Sequence, residues 1–202
     1  MYIFDFVEKT NIWYIIRMFA LNGGHPTRYR TNITNPVQVV LSGSMVYVID
    51  RTSSGKYLLR RFEHEYPYSF ENDIILDEDI VLMAKGIDST IHAIKLIGAE
   101  YYWIHLKPNG KCEREVRLYD LVDPLSIASD GIMIYLIGQF TDGRYMIICD
   151  GYRGTIQSEP RMFVDPQYVT ISGLRVLVLD NDDGYKVKTW HGKWSGNLRT
   201  LD

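Results

Sequence analysis

Carboxylates raise the first chemical question in this chain of 202 residues. Two of them within several ångströms of one bond suffice for hydrolysis, and a loop of oxygen ligands suffices for calcium. The densest run is Asp180-Asn181-Asp182-Asp183-Gly184. Its glycine stands fifth where a calcium loop needs it sixth, and no bidentate glutamate follows at the required distance, so the run reads as a hairpin turn. The histidines His25, His64, His92, His105 and His191 are expected to fall in different repeats at unmatched positions. Zinc needs a convergence that this spacing does not suggest, so the expectation is no metal site and packing or surface roles for all five. No GxSxG nucleophile motif is present. Cys112 and Cys149 show no CxxC spacing, which fits two free thiols in a reducing compartment. Among the aromatics, Trp13 and Trp103 are expected to pack between sheets. Tyr66, Tyr68, Trp190 and Trp194 are the better candidates for exposed binding platforms, the two tryptophans bracketing Gly192 in an expected loop.

A repeated frame must position these residues. Its cleanest copy runs from Asn35-Pro36 through Val37 to Gly43, then Met45 to Asp50, then Gly55-Lys56-Tyr57. The frame returns at Asp123-Pro124 with Gly131, Gly143 and Tyr145, and at Asp165-Pro166 with Gly173, Gly184 and Tyr185. A fourth copy sets Asp79, after Glu78, in place of the proline and continues to Gly86, Gly98 and Tyr101. The first glycine follows the proline position by 7 residues in all four copies, and the second glycine lies 12, 12, 12 and 11 residues further on. Glycines in register at intervals of 43, 45 and 42 residues mark an internal repeat.

Apolar runs rich in Val, Ile and Tyr, closed by Gly, Asn, Asp or Pro, read as strands and turns. Each repeat holds four strands: proline to first glycine, first glycine to the Gly-x-Tyr turn, a third from the tyrosine, and a polar fourth such as Glu113 to Leu118. Charge on that last strand suits an exposed edge. Residues 1–34 fit with a shifted frame. Tyr2 to Asp5 matches Tyr47 to Asp50, Tyr14 to Phe19 matches Tyr57 to Phe62, and Thr27 to Ile33 supplies the fourth strand, which leaves this copy without a first.

Four-stranded units of 42 to 45 residues resemble the blades of a β-propeller, a likeness that covers essentially the whole chain. The resemblance implies an all-β fold: a five-bladed propeller of four-stranded antiparallel blades, the first blade lacking its inner strand. It also implies a single domain over residues 1–202, with repeats at about 1–34, 35–77, 78–122, 123–164 and 165–202. A β-sandwich or barrel is the alternative, disfavoured by the regular glycine spacing. Neither the Gly-His and Trp-Asp marks of WD40 repeats nor the double glycine of kelch repeats recurs, so no functional residue carries over.

Strand direction in a propeller places the loops before strand one and between strands two and three on one face. That face would collect an acidic rim of Asn35, Glu78, Asp79, Asp123, Asp142, Asp165, Asp182 and Asp183, set against ordinary turn roles for the same residues. The opposite face takes Lys107 to Lys111, Arg153 and Lys193. The inner strands carry no Asp, Glu or His, so paired carboxylates could come only from the rim.

Composition narrows the classes. A net charge of -3 gives no support to nucleic-acid binding. No apolar run approaches the length of a membrane span, and the charged start does not read as a secretory signal, so a cytoplasmic location is expected. The reading is a non-catalytic protein-interaction scaffold that uses its acidic rim or incomplete first blade and needs no cofactor, with a protein partner or self-association implied. The alternatives are a lectin-like glycan binder and a hydrolase whose carboxylates sit on the rim.

Overall fold

A computed structural model describes residues 2–8, 12–17, 27–30, 33–65, 69–141, 146–150, 156–159, 163–173, 175–191 and 198–200. Every regular element among them is a strand. The chain divides into two compact units, Met1–Ile80 and Val81–Asp202.

The first unit holds two antiparallel sheets. One has three strands, β1 (Tyr2–Val7), β2 (Ile12–Arg17) and β3 (Thr27–Arg30), in that order. The next follows the full repeat: β4 (Pro36–Ser42), β5 (Met45–Arg51), β6 (Tyr57–Glu65) and β7 (Ser69–Glu78). Ile33, Val46, Val48 and Phe62 form its core, with Val46 and Val48 on one face because strand side chains alternate.

Three four-stranded sheets make up the second unit, apart from the first residue of β8. They are β8 (Ile80–Lys85) to β11 by way of β9 (Ile91–Ile97) and β10 (Glu100–Leu106), with β11 at Cys112–Leu118; β12 (Leu121–Ser129), β13 (Met133–Phe140), β14 (Met146–Asp150) and β15 (Ile156–Glu159); and β16 (Pro166–Ser172), β17 (Arg175–Asn181), β18 (Tyr185–His191) and β19 (Leu198–Thr200). Strand β13 shows how the sheets stack. Ile134 and Leu136 join Ile94, Trp103 and Ile127 on one side, while Tyr135 and Ile137 join Val169, Val176 and Val178 on the other. Period-2 alternation thus supplies an apolar layer to each neighbouring sheet, as sheet-on-sheet packing requires.

Turn glycines sit where the repeat demands them. Gly43, Gly131 and Gly173 have φ of 57°, 106° and 59°, a conformation that costs a residue with a Cβ about 1–2 kcal/mol. Gly86 is the exception among the first glycines. There, the Thr90 backbone and side chain leave no room for a Cβ. Two boundaries differ from the sequence reading. Strand β12 starts at Leu121, ahead of Pro124, and absorbs the extra length through register shifts near Asp123 and Ser126. Trp190, expected in a loop, lies within β18, with its Cα paired to Val176 and Leu198.

Candidate binding site

Two acids of the expected rim, Asp165 and Asp182, hold side-chain bonds close to their own turns. Asp165 receives the Gln167 side-chain amide at 2.7 Å and the Asn181 side-chain amide at 3.3 Å. Asp182 pairs with the Lys188 ammonium at 3.2 Å. Asn35 is exposed, and its backbone N–H donates to the Asp50 carboxylate at 2.7 Å. Asp79 and Asp183 occupy left-handed turn positions with φ of 61° and 52°. Asp123 is exposed on β12, and Glu78 ends β7. Asp142, Tyr66, Tyr68 and Trp194 lie outside the described residues. No group of three or more His, Cys, Asp and Glu residues converges among the described residues.

Two carboxylates do structural work: Asp50, which the sequence reading assigned no role, and Asp180, which it read only as part of a hairpin turn. Asp50 is buried, accepts the Thr34 and Asn35 amides, and pairs with the Arg60 guanidinium at 2.8 Å. Asp180 repeats this arrangement with the Val164 and Asp165 amides and the Lys188 ammonium. Each thereby fixes the turn that enters a first strand, as buried charge must when it is kept. Burial pushes the Asp180 carboxyl up, but the Lys188 ammonium and the two amides outweigh it and hold the group below the usual carboxylate range.

A cavity of about 520 Å³ opens in the second unit, lined by Ile87, Asp88, Thr90, His92, His105, Lys107, Pro108, Glu113, Gly131 and Ile132. That volume falls in the range of small-molecule sites. The turn at 86–90 between β8 and β9 forms one wall, the turn at 107–111 between β10 and β11 another, and the turn at 130–132 of the next sheet a third. Ile87 and Ile132 are each about half exposed there, an apolar rim above a polar floor.

That floor is a pair of histidines. The tight turn at Gly98-Ala99 sets the hairpin register that places His92 opposite His105. Their rings stack with centres 4.7 Å apart and planes 23° from parallel, and Trp103 lies beneath with its ring centre 5.9 Å from that of His92. His92 is 2% exposed. Its Nε2 stands 3.3 Å from the Gly131 carbonyl oxygen, which only accepts, so Nε2 carries the proton and Nδ1 is bare. His105 Nδ1 lies 3.5 Å from Glu113 Oε2, which makes Nδ1 the protonated nitrogen and Nε2 the bare one. His92 Nδ1, His105 Nε2 and Trp103 Nε1 are all buried without a hydrogen-bond partner among the described residues. Burial lowers the pKa of His92 to about 4, against the pull of the Gly131 carbonyl, and lowers that of His105 against the pull of Glu113. Both rings are neutral near pH 7. Lys107 pairs with Glu113 across the rim and holds its carboxyl below the usual range.

The hairpin register was the signal in the sequence that these two histidines meet. The expectation that the five histidines fall in different repeats does not hold for this pair: both lie in the repeat at 78–122, whose hairpin pairs them.

No family model and no curated protein matches the sequence. Solved structures do match. The chain is similar to puromycin hydrolase, at 12% identity and a TM-score of 0.70 over 98% of this chain, and it spans 36% of that protein. A chain of the nidogen/laminin complex matches at 15% identity and a TM-score of 0.61, with 90% of this chain and 72% of that one covered. The β-propeller domain of the trilobed protease from Pyrococcus furiosus matches at 9% identity and a TM-score of 0.53, with 83% and 57% covered. At such identities the likeness shows the fold alone, which is that of β-propeller proteins.

Proposed function

We propose that this chain is a non-catalytic protein-interaction module, built as a five-bladed propeller whose first blade lacks its inner strand, and that it self-associates through exposed tyrosines on one face of its last sheet. The observation that carries the reading is an apolar row across that sheet. Tyr168, Leu179 and Val187 stand opposite one another on β16, β17 and β18, and Tyr185 follows on the same face. Tyr168 is 57% exposed and Tyr185 71%. The reverse face of the same strands carries Val169, Val176 and Val178 and packs against β13.

Continuity identifies the occupant. In the second unit neighbouring sheets pack face to face, so the part of this face that carries the exposed Tyr168 and Tyr185 fits another sheet of the same kind. A second copy of this chain supplies one. Large tyrosines on such a face suit a protein contact, since they bury apolar area and keep a hydroxyl for hydrogen bonding. The acidic rim remains a second surface for partners, although Asp165 and Asp182 already hold local bonds.

Light scattering over a range of concentrations tests the proposal. The wild-type chain is expected above the 23.5 kDa of one copy, and Tyr168→Lys with Val187→Lys is expected to give a monomer with unchanged circular dichroism. A monomeric wild type at every concentration overturns self-association.

A further inference from the structure

A buried imidazole and a partly buried one stand where other repeats carry plain hydrophobic pairs. The second residue of the second strand is Val46, His92, Ile134 and Val176 in the four complete repeats, and all four are buried. Their cross-strand partners are Phe62, His105, Cys149 and Trp190. One repeat has thus exchanged an apolar pair for two histidines, at the cost of burying nitrogens without partners. The same repeat has the longest turn between first and second strands, residues 86–90 against 43–44, 130–132 and 173–174. In that turn two successive non-glycine residues, Asp88 and Ser89, take φ of 51° and 63°. Departures from local rules concentrated beside a cavity are where function is to be sought.

We propose that His92 and His105 form a two-imidazole site for a divalent late first-row transition metal, zinc or copper being the ions that imidazole suits. Each ring is already held as metal-ligating histidines are. Its outer N–H faces a backbone carbonyl or a carboxylate, and its other nitrogen offers a bare lone pair. Two imidazoles that share one ion through bonds of about 2.0–2.1 Å have ring centres about 5 Å apart, which the 4.7 Å separation matches. The chain supplies two nitrogens and no preformed third ligand among the described residues, so the remaining positions fall to water or to a molecule in the cavity, which Asp88 and Glu113 also line. The competing occupant is a single water that accepts from Trp103 Nε1 and donates to both bare nitrogens.

Cobalt(II) and zinc(II) salts are the probes. Titration of the full chain with cobalt(II) is expected to saturate at one equivalent with visible absorption from nitrogen ligation, and zinc(II) is expected to raise the melting temperature by several degrees. His92→Val with His105→Phe rebuilds the Val46 and Phe62 pair of the second repeat and is expected to keep the fold and abolish both effects. Glu113→Gln, which removes the carboxylate that orients His105, should weaken zinc about tenfold or more. Undiminished binding by the double variant, or no binding of either ion at millimolar concentration, overturns the site. Should the double variant fail to fold, imidazole nitrogen NMR of the wild type decides. Zinc must shift His92 Nδ1 and His105 Nε2, and unchanged signals, as a bridging water would leave them, overturn the proposal.

Discussion

Asp50 and Asp180 are one residue in two copies of the repeat, each fourteen places after its proline. Buried charge of this kind is costly to keep and costlier to break, because removing one partner strands the other. Asp180→Asn should therefore destabilise the chain by about 3 kcal/mol in urea unfolding at pH 7. The pH dependence follows from the lowered pKa. The folded carboxyl holds its proton less tightly than the unfolded one, so its contribution is complete above the ordinary aspartate pKa and fades as pH falls through the folded value. The wild type should lose more stability than Asp180→Asn between pH 5 and pH 2, as unfolding curves at each pH will show; equal losses would assign the acid sensitivity to other groups. Counted along the second strand, the other two complete copies carry Leu96 and Gly138 at this place. A Cβ on Gly138 would lie 2.8 Å from the Asp123 carbonyl oxygen and 3.2 Å from the Pro124 Cα, both backbone atoms. Gly138→Ala should lower stability by about 1–3 kcal/mol, measurable in the same assay.

Strands and turns carry the next level of constraint. Where a turn glycine has a positive φ and open space around it, conformation alone sets the cost of substitution. Gly173, at φ of 59° with nothing within 4 Å of where a Cβ would stand, is such a case, and Gly173→Ala should cost about 1 kcal/mol. A null result in thermal unfolding would mean that this turn relaxes. Hairpin register matters as much as turn conformation. The same rule that pairs Val46 with Phe62 brings His92 to His105, so a count outward from Gly98-Ala99 makes that meeting legible in the sequence. The burial of His92 is another matter. It depends on Gly131, a residue 39 positions away in the adjoining sheet, and no local pattern reports which loop closes over a strand.

The exposed tyrosines on the last sheet call for a cover. If a second copy provides that cover, folding is linked to association and the melting temperature rises with protein concentration. Tyr168→Lys should remove that dependence, as differential scanning at several concentrations will show. A concentration-independent melting temperature in the wild type would separate the apolar row on the last sheet from self-association. The metal site makes no such demand, since both histidines and their orienting partners belong to the second unit.

The sequence by itself determined the strands, their number in the four complete repeats and the turns between them. These follow from glycine conformation, proline position and period-2 alternation, all of which act within a few residues. Tertiary structure alone decided which acids were taken up by their own turns, that Trp190 belongs to a strand, and that two histidines share the floor of a cavity. Those outcomes depend on which sheet packs on which face. Side chains far apart in the chain set that packing, and the repeat pattern, being nearly the same in every copy, does not distinguish among them.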